Sequence, residues 1–119
     1  MEKTPPILTL SQEVLSWTLD RTADFPKSHR FTFGQRLDSL AIENIELCLK
    51  ARFRSASERV KTLDALNLNL EICRTFWRIV TERGWLSSRQ LFFITSKLDE
   101  IGRMAGAWRK ATLEREKHP

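Results

Sequence analysis

Arginine carries most of the chemistry this chain could do: thirteen arginines stand against seven lysines, and the formal net charge is +5. A guanidinium offers planar, paired donors that match phosphate and carboxylate, so this usage fits an anionic partner. It also fits a solvated basic surface, and charge alone leaves the two open. The remaining reactive residue types are sparse. His29 and His118 are the only histidines, and no nucleophile has a recognisable base. Ser28 has no oxyanion setting and reads as a turn or capping residue. Cys48 and Cys73 fall on apolar helix positions, with no Cys-x-x-Cys spacing and no nearby histidine, and read as buried free thiols. No catalytic residue, no metal site and no cofactor is expected, and the chain reads as a non-enzyme.

Positioning such residues is work for helices. The 119 residues contain no Tyr, few Gly and Pro, and long runs of Leu, Arg, Glu and Ala, which favours an all-α single domain over residues 1–119, with 1–6 and 115–119 as loose termini. The first helix follows Pro5-Pro6 and is expected near Thr9, with Gln12 completing a capping box, ending before Phe25-Pro26. Thr32 and Gln35 form a second such box, opening a helix to about Phe53 with Leu37, Leu40, Ala41, Ile45, Cys48 and Leu49 on its apolar face. A third runs from about Ser57 to Arg83 along Leu63, Leu66, Leu70, Cys73, Trp77 and Val80. Gly84 stands where a left-handed terminating residue belongs, and Trp85 is placed to fold back on Val80. Ser87-x-x-Gln90 boxes the fourth helix, stapled by Leu86 and Leu91, and the helix continues to roughly Glu114. Its seam is Leu91, Ile94, Leu98, Ile101, Ala105, Trp108 and Thr112.

Short connections between helices of similar length give an up-down-up-down four-helix bundle. That topology gathers Lys50, Arg52, Arg54, Arg59 and Lys61, with only Glu58 opposing, at the end that also receives the tail of helix four, with Arg103, Arg109, Lys110, Arg115 and Lys117, diluted by Glu114 and Glu116. Cations scattered in sequence become one basic end, facing phosphate as a group. Taken singly, each could instead complement a helix dipole or cover apolar surface with its stem. Arg74 and Arg78, four apart within helix three, repel one another by a few tenths of a kcal/mol and read as a forked anion site on the bundle's side. The other reading is a bridge to acidic residues of a neighbouring helix. Gly102 and Gly106, also four apart, flank the last seam beside Trp108. Each costs about 1 kcal/mol against Ala, so both read as close-packing positions for another helix, within the chain or from a second subunit. Phe92 and Phe93 add spare apolar surface beyond that seam.

Between the first two helices, Phe25-Pro26-Lys27-Ser28-His29-Arg30-Phe31-Thr32-Phe33-Gly34-Gln35-Arg36 mixes cations with aromatics. This stretch, together with Leu98 to Trp108, resembles the accessory variability determinant (Avd) family of diversity-generating retroelements, which are small four-helix-bundle proteins. The likeness runs from roughly helix one to Trp108. Gln35 stands where an acidic residue is common in the family, and the tail after Trp108 has no clear counterpart. The resemblance implies a homopentamer that associates with the reverse transcriptase of the same element and binds RNA and DNA, supporting error-prone copying of a template-repeat RNA. Lys27, His29, Arg30 and Arg36 would join Arg52, Arg54, Arg59, Arg74, Arg78, Arg103 and Arg109 as contacts to polymerase or nucleic acid. These contacts would tolerate sequence, being cations on helix ends rather than a base-reading helix.

Two other readings stay in view. The four-helix protein encoded by intervening sequences of bacterial 23S ribosomal RNA genes typically carries an Asn-Ile-Ala-Glu-Gly run, whereas this chain reads Asn44-Ile45 and then departs. A plain protein-interaction bundle would have solvated cations only. No signal peptide and no membrane-length apolar run is read, so a cytoplasmic protein without membrane contact is expected.

Overall fold

Proline sets where the bundle begins. Helix α1 (Pro6–Thr22) opens with Pro6 in its first turn, where a missing N–H costs nothing and the fixed φ suits a helix. In this computed structural model, which describes residues 5–117, the helix therefore starts before Thr9 and uses no side-chain cap. The Thr9–Gln12 capping box is thereby corrected: the Thr9 hydroxyl, inside the helix, reaches the Pro5 carbonyl at 3.5 Å. A second correction concerns Thr32 and Gln35. The chain is already helical right after Pro26, through α2 (Lys27–His29), a π-helical turn (Arg30–Gly34) and α3 (Gln35–Phe53), which follow one another without a break. Thr32 lies within the π turn, its hydroxyl 3.4 Å from the His29 carbonyl.

Helix α4 (Ala56–Glu82) ends as expected. Gly84 takes φ +82°, its N–H donates to Thr81 at 3.0 Å, and Trp85 N–H donates to Val80 at 3.1 Å. These are the paired bonds of a Schellman ending. Helix α5 (Ser88–Lys117) opens on the reciprocal box, Gln90 N–H donating to Ser87 Oγ at 3.1 Å and Ser87 N–H to Gln90 Oε1 at 3.0 Å. Helix thus extends further than read: Pro6 and residues 115–117 are helical, while residues 1–4 and 118–119, with His118, lie outside the described residues.

The four long helices pack in the order α1, α3, α4, α5, and α5 closes back on α1. Contacts run antiparallel. Arg109 of α5 meets Asp64 of α4 and Asp99 meets Arg74, so the register falls on one helix as it rises on the other. Ser11 meets Cys48 and Thr22 meets Asp38 across α1 and α3 in the same sense, and Glu13 meets Lys97 across α1 and α5. This is the up-down-up-down bundle.

The α4 and α5 seams are buried as expected, with Leu91 and Trp108 half-buried and the Thr112 hydroxyl donating to the Trp108 carbonyl. The α3 seam differs. It runs through Leu37, Leu40, Ala41, Asn44, Cys48 and Ala51, leaving Ile45 half-buried and Leu49 38 % exposed. A core asparagine is tolerable because Asn69 of α4 donates to its Oδ1 at 2.6 Å and to the Leu40 carbonyl at 3.0 Å. Cys48 and Cys73 are buried free thiols.

Candidate nucleic-acid interface

One end of the bundle is built by the π turn. Its wider winding sets Phe33 against Phe76 of α4, ring centroids 5.0 Å apart, and leaves Phe31 73 % exposed. His29 stacks on Trp85 at 4.8 Å, and the Arg83 guanidinium lies 5.4 Å from the same ring. A cavity of about 270 Å³ opens there, lined by His29, Phe33, Ile79, Arg83 and Trp85. Lys27 and Arg30 are exposed on the same segment, and Arg30 Nη2 donates to the Phe25 carbonyl at 3.4 Å. Arg36 is exposed in the first turn of α3. Beneath them Gly34 is buried, and a Cβ there would make ordinary contacts with the Phe25 ring at 3.4 Å and Thr22 at 3.6 Å.

At the opposite end, Arg52, Arg54, Arg59, Trp108 and Arg109 do come together. The Arg59 guanidinium lies 5.6 Å from the Trp108 ring centroid, and Arg52 lines an apolar groove with Pro6, Met104 and Trp108. Several of these cations serve the fold. Arg59 donates to the carbonyls of Ala51 at 2.8 Å and Arg54 at 3.3 Å, capping the end of α3, and Arg109 holds Asp64 at 2.7 Å. Arg54 and Lys61 share Glu58 at 3.9 and 3.8 Å. Glu58 is therefore not the only opposing carboxylate. Lys50 and Lys110 are exposed, and among the described residues neither has an ion pair.

The side of the bundle corrects the forked site. Arg74 is 15 % exposed; its Nε donates to Asp99 at 2.7 Å and its Nη1 to Glu71 at 2.9 Å. Two carboxylates already occupy the guanidinium, so Arg74 cannot pair with Arg78 around an anion. The bridging reading holds, for Arg74. Arg78 and Arg103 are exposed on α4 and α5. At Gly102 a Cβ would lie 3.3 Å from Arg74 Nη2 and 3.8 Å from Leu70 Cδ1, so side chains of α4 lie over this glycine. Gly106 is not a close-packing position within the chain: a Cβ would meet nothing within 4 Å.

The sequence-read cations thus fall at two ends and one flank of a molecule 53 Å long, the corner after α3 at one end and the first connection at the other. Sequence reading missed Arg83 and the role of Trp85 in the pocket. The signal was available: an Arg-Gly-Trp ending returns both side chains to the helix end that receives the first connection. It also missed Asp64 and Asp99 as partners of Arg109 and Arg74.

These features define an antiparallel four-helix bundle whose ends pair cations with aromatic rings. Among the described residues no helix is long and apolar enough to cross a membrane. The family described as bAvd-like matches residues 7–112, nearly the whole chain, and the protein belongs to that family. No curated protein and no solved structure matches it.

Proposed function

We propose that the protein is a non-enzymatic accessory factor of a diversity-generating retroelement, binding the element's reverse transcriptase and its RNA or DNA to support mutagenic cDNA synthesis. Membership of the bAvd-like family over residues 7–112 is the observation that carries this reading. The two cationic ends support it, because phosphate binding needs guanidinium and ammonium groups held outward on rigid elements. A homopentamer is the expected assembly, and the cytoplasm, where two buried free thiols stay reduced, the expected setting.

The test has two arms. Tagged protein should retain the reverse transcriptase encoded beside it, and should bind RNA and DNA with an affinity that falls linearly in log salt. Charge reversal at Lys50, Arg54 and Lys110, which spares the structural Arg59 and Arg109, should weaken unrelated duplexes alike and lower the salt slope by about one per lost phosphate contact. Strong discrimination between unrelated duplexes contradicts the electrostatic account. Absence of both polymerase and salt-sensitive nucleic-acid retention leaves a protein-interaction bundle with solvated cations.

A further inference from the structure

We infer that the π-turn end is a stacking platform for unpaired bases, so that the nucleic acid it takes is single-stranded; this rests on the nucleic-acid reading above. The turn divides two shallow cavities of about 270 Å³ each. On one side Arg30 and Phe31 stand beside Leu19 and Gln35. On the other, His29 and Phe33 stand beside Arg83 and Trp85. Each side therefore offers aromatic surface with a permanent cation next to it. Both volumes fall just below the range of about 300–1,000 Å³ that holds a drug-sized ligand, which suits one ring at a time.

Phe31 is the residue that calls for an occupant. Its ring is 73 % exposed on a turn whose other phenylalanine, Phe33, packs inward on Phe76. Leaving such a ring in water forgoes most of the stabilisation that burying a phenylalanine gives. Its immediate neighbours decide the occupant's chemistry. Lys27 and Arg30 are exposed on the same segment and Arg83 on the facing end of α4, so the partner is anionic as well as flat. Asp38, the one carboxylate lining the Phe31 cavity, accepts the Thr22 hydroxyl at 2.7 Å and keeps its negative charge, as does exposed Asp24 beside the segment, so the phosphates fall to Lys27 and Arg83 and the Phe31 cavity takes the uncharged base. A single strand meets all of this: bases lie on aromatic faces while phosphates sit on the cations between them. A duplex hides its base faces and could use the cations alone.

Anisotropy titration of a labelled mixed-sequence single strand, the same strand with abasic residues, and the matching duplex tests the assignment. Phe31→Ala, whose exposed position leaves the fold intact by thermal melting, should weaken the intact strand about fivefold or more and leave the abasic strand and duplex unchanged. Phe31→Trp should preserve binding, with its emission quenched by the bound strand. Equal affinity for intact and abasic strands, or no effect of Phe31→Ala, overturns base stacking while salt-sensitive binding keeps the broader reading. Binding of no strand at low salt overturns both. Loss of the polymerase in Phe31→Ala with strand affinity unchanged overturns the stacking assignment in favour of a protein contact.

Discussion

Cys73 faces competing influences, and one wins. Burial in the α4 seam pushes its thiol up from the ordinary 9.0 to about 11, against the lowering effect of the Asn44 amide and the Arg74 and Arg36 charges. The fold therefore holds the proton more tightly than the unfolded chain does. Its contribution to stability is fully present below pH 9 and is lost as pH rises towards 11. Burial pushes Cys48 in the same direction, opposed by its contact with Ser11. Urea unfolding at pH 8 and pH 10.5 should show lower stability at the higher pH, and Cys73→Ala should flatten that difference; an unchanged slope in the variant would remove Cys73 as its source. The thiol was legible in sequence because Leu70, Phe76 and Trp77, at three- and four-residue spacing from it, are apolar. Asn44 was not. A polar residue at a seam position reads as solvent-facing until its partner is known, and Asn69 lies twenty-five residues away on another helix.

Helices α4 and α5 carry their register in their charges. Asp64 precedes Arg74 by ten residues, Asp99 precedes Arg109 by ten, and antiparallel packing sets each acid on the other helix's arginine. The Arg74 bridge is the more consequential of the two, being 15 % exposed against 42 % for Arg109. Arg74→Ala should cost about 1–2 kcal/mol, a value reduced from that of a fully buried pair because both carboxylates remain half in water. Arg78→Ala, four residues on and exposed, should change stability by no more than about 0.5 kcal/mol. Equal melting of the two variants would mean that the bridge adds nothing to the register. The boundary between these helices was readable because the Schellman ending and the capping box are local devices, each complete within six residues. The starts of α1 and α3 were not. There proline replaces a side-chain cap, and the π turn carries helix through residues that look like a box.

For the whole molecule, the 53 Å axis keeps its two cationic ends apart, so one copy cannot offer both to a short stretch of nucleic acid. The homopentamer proposed above would change that, because a ring of copies would repeat each end as a band of charge. For the proposed assembly helix α5 offers a candidate face: Phe92, Arg103 and Gly106 fall at offsets of eleven and three residues, on one side of the helix. Phe92 is 74 % exposed, and a Cβ built on Gly106 would meet nothing within 4 Å. Gly106 costs helix stability with no crowding inside the chain to require it, which supports placing the proposed interface here. Gly106→Leu separates the two scales. Within one bundle the leucine meets open space and gains helix propensity, so melting should hold or rise by up to about 1 kcal/mol. Between copies the same side chain blocks a close crossing, so light scattering should show the assembly falling towards the 13.9 kDa protomer. An assembled mass that survives Gly106→Leu would move the interface to another face, and a parent chain that stays monomeric at every concentration would end the homo-oligomer reading.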